Sequence, residues 1–522
     1  MSTNNVQSSS LIQGLMKPES FNPPVQHPIL LETHISWVIV AEPYAYKIKK
    51  SLNLGFLDFS TLKKRLHFCK EELRLNQRLA PHIYLSVIPI TGTVQEPQWE
   101  GAGNPIEYAI KMIAFPQETQ LDRLLSTGLL TPQIIDALAG HIAHFHTYTD
   151  RAAKDTDYGE TEVIRQPVEE NFRQIRNHVE SFPTLQSLDK LEEWTKSTLD
   201  SLQHSFSARK ATGFIRECHG DLHLRNIAWV DDKPLLFDCI EFSPLLRWID
   251  VISDVAFLVM DLEDRKQPEL AKRLLNKYLE FTGDYSALHI LRYYLTYRAL
   301  VRAKIDVIRA SQDGISSNEK LEAEEDFNEY LKLALHYIEP TKPQIIITRG
   351  LSASGKSTVS QALLEHIGAI RIRSDVERKR LHGLQPPQTE NLEIDRGIYS
   401  QEATERTYTK LTELAAQIID AGYPVIVDGV FTHSQQRQVF RGLAAKRNVP
   451  FTVLECTATI ETLRKRITER KDGVSDANLA VLESQFAKWK PLQNHELDNT
   501  LTIDTQNPVD IKSLVKQIQK RG

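Results

Sequence analysis

The sequence predicts two domains of different class. The N-terminal one is α+β, a small mixed lobe followed by a larger helical lobe, and the C-terminal one is α/β, a parallel sheet flanked by helices. Three observations carry this reading. Short runs rich in Val, Ile and Tyr dominate from about residue 29 to 112. Helical periodicity prevails from about 121 to 337. After Pro343, strand-like and helix-like segments alternate, and the first of them frame the run Gly350-Leu351-Ser352-Ala353-Ser354-Gly355-Lys356-Ser357. A chain of 522 residues is also too long for one ordinary core.

Taken in order, the first ~30 residues are polar, carry Pro23-Pro24 and read as a tail or arm. Strands are expected at Ile35 to Val40, Tyr44 to Ile48, Tyr84 to Ile90 and Tyr108 to Met112, with one helix from Thr61 to Leu79. Residues 91–105, full of Gly and Pro, read as a hairpin loop. Within the helical stretch, Ile227 to Val230 and Pro234 to Phe237 flank Asp231-Asp232-Lys233 as a tight β-hairpin. Polar residues 311–320, an acidic helix to about Ile338 and the prolines 340 and 343 mark a boundary. The domains are therefore expected at 1–340, with lobes of about 30–115 and 116–340, and at 341–522.

Composition narrows the class. The chain is 41% hydrophobic and 25% charged, the profile of a globular protein. No run approaches the ~18 apolar residues of a membrane helix, and the polar N-terminus does not resemble a signal peptide, so a cytoplasmic protein without a membrane partner is expected. Four scattered cysteines with no Cys-x-x-Cys pair argue against a disulfide framework or a zinc site. A net charge of -5 gives no general attraction to nucleic acid, which leaves such a partner open but not favoured.

The run at 350–357 follows an apolar strand, Gln344 to Thr348, and opens a helix, Thr358 to His366. That setting is what a phosphate-binding P-loop requires. Its glycines let backbone N–H groups turn onto phosphates, and the helix N-terminus adds positive potential. Gly350, Ser352, Ala353, Ser354, Gly355, Lys356, Ser357 and Thr358 are the candidate nucleotide-binding positions. Lys356 is expected on the β- and γ-phosphates and the Ser357 hydroxyl on Mg²⁺. A second strand, Ala369 to Ile372, runs into Asp375, a candidate base for an acceptor hydroxyl, and Arg378, a candidate clamp one turn later. A third strand closes at Asp428, where a Mg²⁺-holding carboxylate belongs. Arg464, Arg466 and Arg470 flank a loop at 471–476.

This set resembles the small P-loop kinases related to polynucleotide kinase and zeta toxins, over about 345–495, with Ser475-Asp476-Ala477, Gln485 and Trp489 as further points of likeness. The resemblance implies ATP and Mg²⁺ as cofactors. It makes Asp375 the base and Arg378 the acceptor clamp, and it makes Arg464, Arg466 and Arg470 lid residues that close over the phosphates.

In the N-terminal half, His219-Gly220-Asp221 precedes Asn226 by a short spacing, and the hairpin that follows returns Asp238 beside them. Phosphoryl transfer of the protein-kinase type uses such a trio: one Asp for the acceptor hydroxyl, an Asn and a second Asp for metal. Here the sequence resembles the aminoglycoside phosphotransferase family and its choline- and homoserine-kinase relatives, over about 30–335. The resemblance implies a two-lobed protein-kinase-like fold. It assigns Asp221 as catalytic, Asn226 and Asp238 as metal ligands, Lys47 as the ATP lysine and Glu72 as its ion-pair partner, with Lys49 a rival for Lys47. No Gly-x-Gly-x-x-Gly precedes Lys47; the turn there reads Ala41-Glu42-Pro43-Tyr44. Arg247, Asp250 and Asp254 are expected to form a structural ion-pair network, and His141, His144 and His146 to serve helix packing rather than a metal.

The resulting expectation is a kinase with two nucleotide sites. A nucleoside triphosphate is the donor, and the acceptor is a small molecule or nucleotide. Two rivals stand beside it. In one, the N-terminal half is an ATP-binding sensor that gates the P-loop kinase. In the other, the C-terminal half phosphorylates polynucleotide 5′-hydroxyls, which needs a basic channel beside Asp375 and Arg378.

Overall fold

The computed structural model describes residues 10–55, 57–312, 314–384, 398, 400–469 and 479–521. The chain divides into two compact units, Met1–Glu170 with Phe206–Asp261, and Asn171–Ser205 with Leu262–Gly522. Residues 262–340, which the sequence groups with the N-terminal half, thus pack with the P-loop domain.

The first unit is built on a six-stranded sheet whose strands all pair antiparallel: β1 (Ile29–Glu32), β2 (Ser36–Ala41), β3 (Tyr44–Lys49), β4 (Tyr84–Gly92), β5 (Pro97–Trp99) and β6 (Glu107–Ile113), in the order β1-β2-β3-β6-β4-β5. Alternation along β3 sorts its side chains. Tyr46 and Ile48 enter one cluster with Ile39, Ile88 and Ile90. Ala45 lies in the other cluster, with Cys69 of the helix Leu62–Gln77. Lys47 and Lys49 share that second face, and their ammonium groups meet Glu72 of the same helix. Thr61 caps the helix by accepting the Lys64 N–H.

Three expectations change here. The N-terminal stretch is not simply a tail: residues 10–15 are helical, and Leu11, Ile12 and Leu15 are buried in the cluster around Ile39 and Tyr46. An unforeseen strand, β1, makes Thr33-His34-Ile35 the first hairpin turn, and 41–44 is the second. The expected loop at 91–105 contains β5, an edge strand paired to β4.

Beyond the sheet lie the helix Pro132–Tyr148, the short pair β7 (Ile215–Glu217) and β10 (Trp248–Asp250), and the hairpin of β8 (Ile227–Val230) and β9 (Lys233–Leu236). Asp231 and Asp232 take positive φ of 49° and 57°, as a two-residue turn of this hand requires. The helix that begins at Val251 carries the last residues of the unit, to Asp261.

In the second unit five parallel strands run in the order β12-β13-β11-β14-β15: β11 (Ile345–Arg349), β12 (Ile370–Arg373), β13 (Val425–Asp428), β14 (Phe451–Thr457) and β15 (Thr500–Asp504). β11 and β13 are buried at every residue, as their unbroken β-branched runs demand. Helices Lys356–Ile367, Ser374–Leu381, Gln401–Asp420 and Ser434–Arg447 connect the strands. Helices Pro268–Thr282, Leu288–Ala310 and Ser317–Tyr337 belong to the same unit.

Candidate active sites

The first site forms where β3, the helix Leu62–Gln77 and the segment 219–241 meet. Lys47 Nζ lies 2.7 Å from Glu72 and 2.5 Å from Asp238 Oδ1. Lys49 Nζ lies 2.5 Å from the other oxygen of Glu72 and also pairs with Glu241. Lys49 is fully enclosed, whereas the Asp238 side chain beside Lys47 is 43% exposed. Of the two lysines, Lys47 therefore faces the open carboxylate and Lys49 braces the interior. Burial alone raises the Glu72 carboxyl, but the two ammonium groups outweigh it and hold Glu72 below the usual range. Burial raises Glu241, and Lys49 only partly opposes it.

The loop carrying Asp221 is fixed from below. Both oxygens of buried Asp254 accept backbone N–H groups, from His219 and from Gly220, each at 2.9 Å. Asp261 accepts the Leu224 N–H at 2.8 Å. Gly220 has φ 87°, and a Cβ there would stand 2.8 Å from the Leu246 carbonyl oxygen, so only glycine fits. His219 Nε2 sits 2.8 Å from the Phe237 carbonyl oxygen, tying the loop to the segment that ends at Asp238. Asn226 Nδ2 donates to Asp221 Oδ2 at 3.0 Å. That bond orients the amide and leaves Oδ1 as its acceptor for a cation. Asp238 is held at φ 66°, and its N–H donates to the Tyr84 hydroxyl at 3.3 Å. A non-glycine residue in this conformation costs on the order of 1 kcal/mol, a local strain typical of functional positions. The hard oxygens of Asn226 and Asp238 suit Mg²⁺.

The expected Arg247–Asp250–Asp254 network resolves into three separate structural contacts. Arg247 pairs with Glu71 and Glu217, Asp250 with Arg209, and Asp254 with the loop N–H groups. His146 Nε2 is 3.3 Å from Asp254 and groups with Cys218. The carboxylate is already committed to two N–H donors, so the cluster reads as a brace.

The second site surrounds the P-loop. Gly350 (φ 154°) and Gly355 (φ 82°) shape the turn, and a Cβ on Gly350 would meet the Cys456 carbonyl oxygen at 2.5 Å. Lys356 arches back, its Nζ donating to the Leu351 carbonyl at 2.8 Å. Ser357 Oγ donates to Asp428 Oδ2 at 2.8 Å, and Thr348 Oγ1 donates to Asp428 Oδ1 at 3.1 Å. A serine hydroxyl beside a carboxylate at a helix N-terminus suits Mg²⁺ bound with phosphate. Ser354 Oγ is buried with no hydrogen-bond partner among the described residues, as a cradle for an oxygen-rich ligand would leave it. Thr358 is exposed.

Arg373 and Asp428 are register partners on β12 and β13, so Asp375, the second residue of the helix Ser374–Leu381, follows two residues beyond the level of Asp428. Arg378 is buried, its guanidinium donating to the Ile398 carbonyl at 2.9 Å and to Thr404 at 3.1 Å. Of the lid arginines, Arg464 donates to Glu483 at 2.8 Å. Arg466 reaches the loop instead, donating to the Ala353 carbonyl at 3.2 Å and to Thr505. Arg470 lies outside the described residues, as do Ser475, Asp476 and Ala477. Gln485 Oε1 accepts the Ser352 N–H at 2.8 Å, and Trp489 lies under the Arg349 guanidinium, 3.9 Å from the ring centroid.

Sequence reasoning missed Glu241, Tyr84 and Thr505. Glu241 follows Asp238 by three residues, a spacing that could have flagged it. Thr505 donates to the Ser354 carbonyl at 3.0 Å from the far end of β15, and no local signal marks it.

Comparison with known proteins matches residues 68–291 to the phosphotransferase enzyme family and residues 345–492 to the AAA domain. Uncharacterized proteins of Mycobacterium tuberculosis and Mycobacterium bovis are 30% identical over 480 residues, covering 91% of this chain and 92% of each relative. Among solved structures, a choline/ethanolamine kinase family protein of Mesorhizobium loti is 10% identical, covering 63% of this chain and 98% of its own, at a TM-score of 0.37. A putative kinase of Chloroflexus aurantiacus is 21% identical, covering 35% of this chain and 100% of its own, at 0.28. No helix among the described residues is long and apolar enough to cross a membrane.

Proposed function

We propose that this chain, which belongs to one family with those mycobacterial proteins and joins a phosphotransferase domain to a P-loop kinase domain, is an ATP-dependent phosphotransferase with two nucleotide sites. The observation that carries the reading is Lys47, held between Glu72 and Asp238 a short way from the Asp221–Asn226 pair. That is the set of charges phosphoryl transfer needs in one place.

In the first site, Lys47 holds nucleotide phosphates and Glu72 keeps it in position. Asp221 accepts the proton of an acceptor hydroxyl, whose oxygen then attacks the γ-phosphorus while ADP leaves. Asn226 and Asp238 would hold Mg²⁺, which neutralises charge developing on the phosphates. In the second site, the P-loop N–H groups and Lys356 bind phosphates, and Ser357 and Asp428 would hold Mg²⁺. Asp375 is the base and Arg378 the acceptor clamp, in the manner of the polynucleotide kinase and zeta toxin type. Both acceptors are hydroxyl compounds.

A screen of metabolites and nucleic-acid ends for transfer of labelled γ-phosphate, with Asp221→Ala and Lys356→Ala as paired controls, tests the proposal. Transfer that survives both substitutions together rules it out. The glycine-free turn Thr33-His34-Ile35 favours one second reading, in which the first site binds ATP only to regulate the P-loop site.

A further inference from the structure

Ahead of the P-loop in sequence, the helix Pro268–Thr282 contributes polar groups to the second unit. The Asn276 carboxamide joins the edge of β12 twice, donating to the Ala369 carbonyl at 3.0 Å and accepting the Arg371 N–H at 2.8 Å. One turn on, buried Glu280 faces three cations. Its Oε1 is 3.3 Å from Arg373 and 3.4 Å from Lys277, and its Oε2 is 3.6 Å from Arg371. Arg371 is itself pinned under the P-loop helix, donating to the Ser357 carbonyl at 3.1 Å and to Ser360 at 3.2 Å. Arg373 stands between two anions, because its Nε is 4.0 Å from Asp428 Oδ2. That is the oxygen which also accepts the Ser357 hydroxyl.

We propose that Glu280 is a positioning residue of the P-loop site: as the counter-anion of Arg373, it keeps that guanidinium from collapsing onto Asp428 and so leaves the Asp428 carboxylate available to Mg²⁺. This rests on the P-loop kinase reading above. Arg373 is 11% exposed and Asp428 5%, so water screens little of their attraction, and a guanidinium stripped of one carboxylate moves towards the next. A guanidinium drawn onto Asp428 Oδ2 competes with Mg²⁺ for the oxygen beside the Ser357 hydroxyl, so removing Glu280 sets the two cations against each other. Groups behind metal ligands commonly change metal affinity by about 10- to 100-fold when mutated.

The test uses the full chain carrying Asp238→Ala, so that nucleotide binding reports the P-loop site. Binding of a fluorescent ATP analogue is titrated with Mg²⁺. Glu280→Gln should raise the Mg²⁺ concentration for half-maximal binding about tenfold, with binding recovered at saturating Mg²⁺. Glu280→Gln with Arg373→Gln should return the midpoint towards the starting value, because the competing cation is gone. A merely structural role would not produce that reversal. Glu280→Asp, which keeps the charge but shortens its reach, should shift the midpoint in the same direction and decides the case if Glu280→Gln fails to fold. An unchanged midpoint in the folded Glu280 variants, or a double variant as impaired as the single one, overturns the proposal. Lys356→Ala in the same background separates the two claims, since analogue binding that ignores this change refutes the P-loop reading itself.

Discussion

Glu72 meets Lys47 through Oε1 at 2.7 Å, while its second oxygen belongs to Lys49 at 2.5 Å. One buried carboxylate thus serves two adjacent lysines on a strand, one directed to the open site and one to the interior. Removing it leaves two buried ammonium groups, Lys47 with Asp238 and Lys49 with Glu241.

Glu72→Gln is expected to destabilise the first unit by about 3–5 kcal/mol at neutral pH, the usual result of breaking a buried pair. The folded carboxyl titrates below its unfolded value of about 4.3. Its stabilisation is therefore complete above that value and disappears as pH falls through the lower folded one. Thermal unfolding across pH 2 to 7 should show the parent chain losing stability on acidification more steeply than Glu72→Gln. Parallel curves would sink the argument.

Lys356→Ala should abolish nucleotide binding at the P-loop without unfolding the chain. The side chain arches back over its own loop to the Leu351 carbonyl instead of entering an apolar core, and its charge belongs on phosphate. Calorimetric titration of ATP into the chain with the first site silenced by Asp238→Ala checks this.

Asp375→Asn should leave nucleotide affinity near that of the parent and slow transfer by roughly 10²- to 10⁴-fold, the range for a lost general base. Asp375 stands at the start of its helix, beyond the Ser357–Asp428 pair rather than within it. A collapse of affinity would make it a metal ligand instead.

At the first site, Asp221→Ala should end phosphoryl transfer while ATP still binds, and Asp238→Ala should also remove Mg²⁺-dependent binding. If the site is regulatory, Asp221→Ala is silent and Asp238→Ala alters turnover at the P-loop by a coupling of about 1–3 kcal/mol. Measuring binding and turnover of both variants in the full chain distinguishes the outcomes.

Motifs compact in sequence were legible because local geometry builds them. The P-loop is one turn between a strand and a helix. Asp221, Asn226 and Asp238 converge because a single hairpin folds back, with the Phe237 N–H donating to the Asn226 carbonyl at 3.0 Å. Short or irregular pieces were not legible. β1 is four residues with mostly exposed side chains, and β5 has three residues, so neither shows alternation. The buried turn at 10–15 is too brief for a helical period to stand out from its polar surroundings. Arg464 and Arg466 looked alike as lid cations, and only the packing against Glu483 and Thr505 separates them. The pairing of Asn276 with a strand 93 residues away obeys no period at all.

That amide has a consequence for how such a chain can be inherited. β12 is an outer strand of its sheet, and a bare outer strand invites a second copy to add on, the usual start of aggregation. Asn276 occupies part of that margin with a side chain encoded well before the nucleotide motif. A recombination event that parted the gene at codon 341 would carry the motif away with an adhesive margin uncovered, so the two halves travel best as one reading frame.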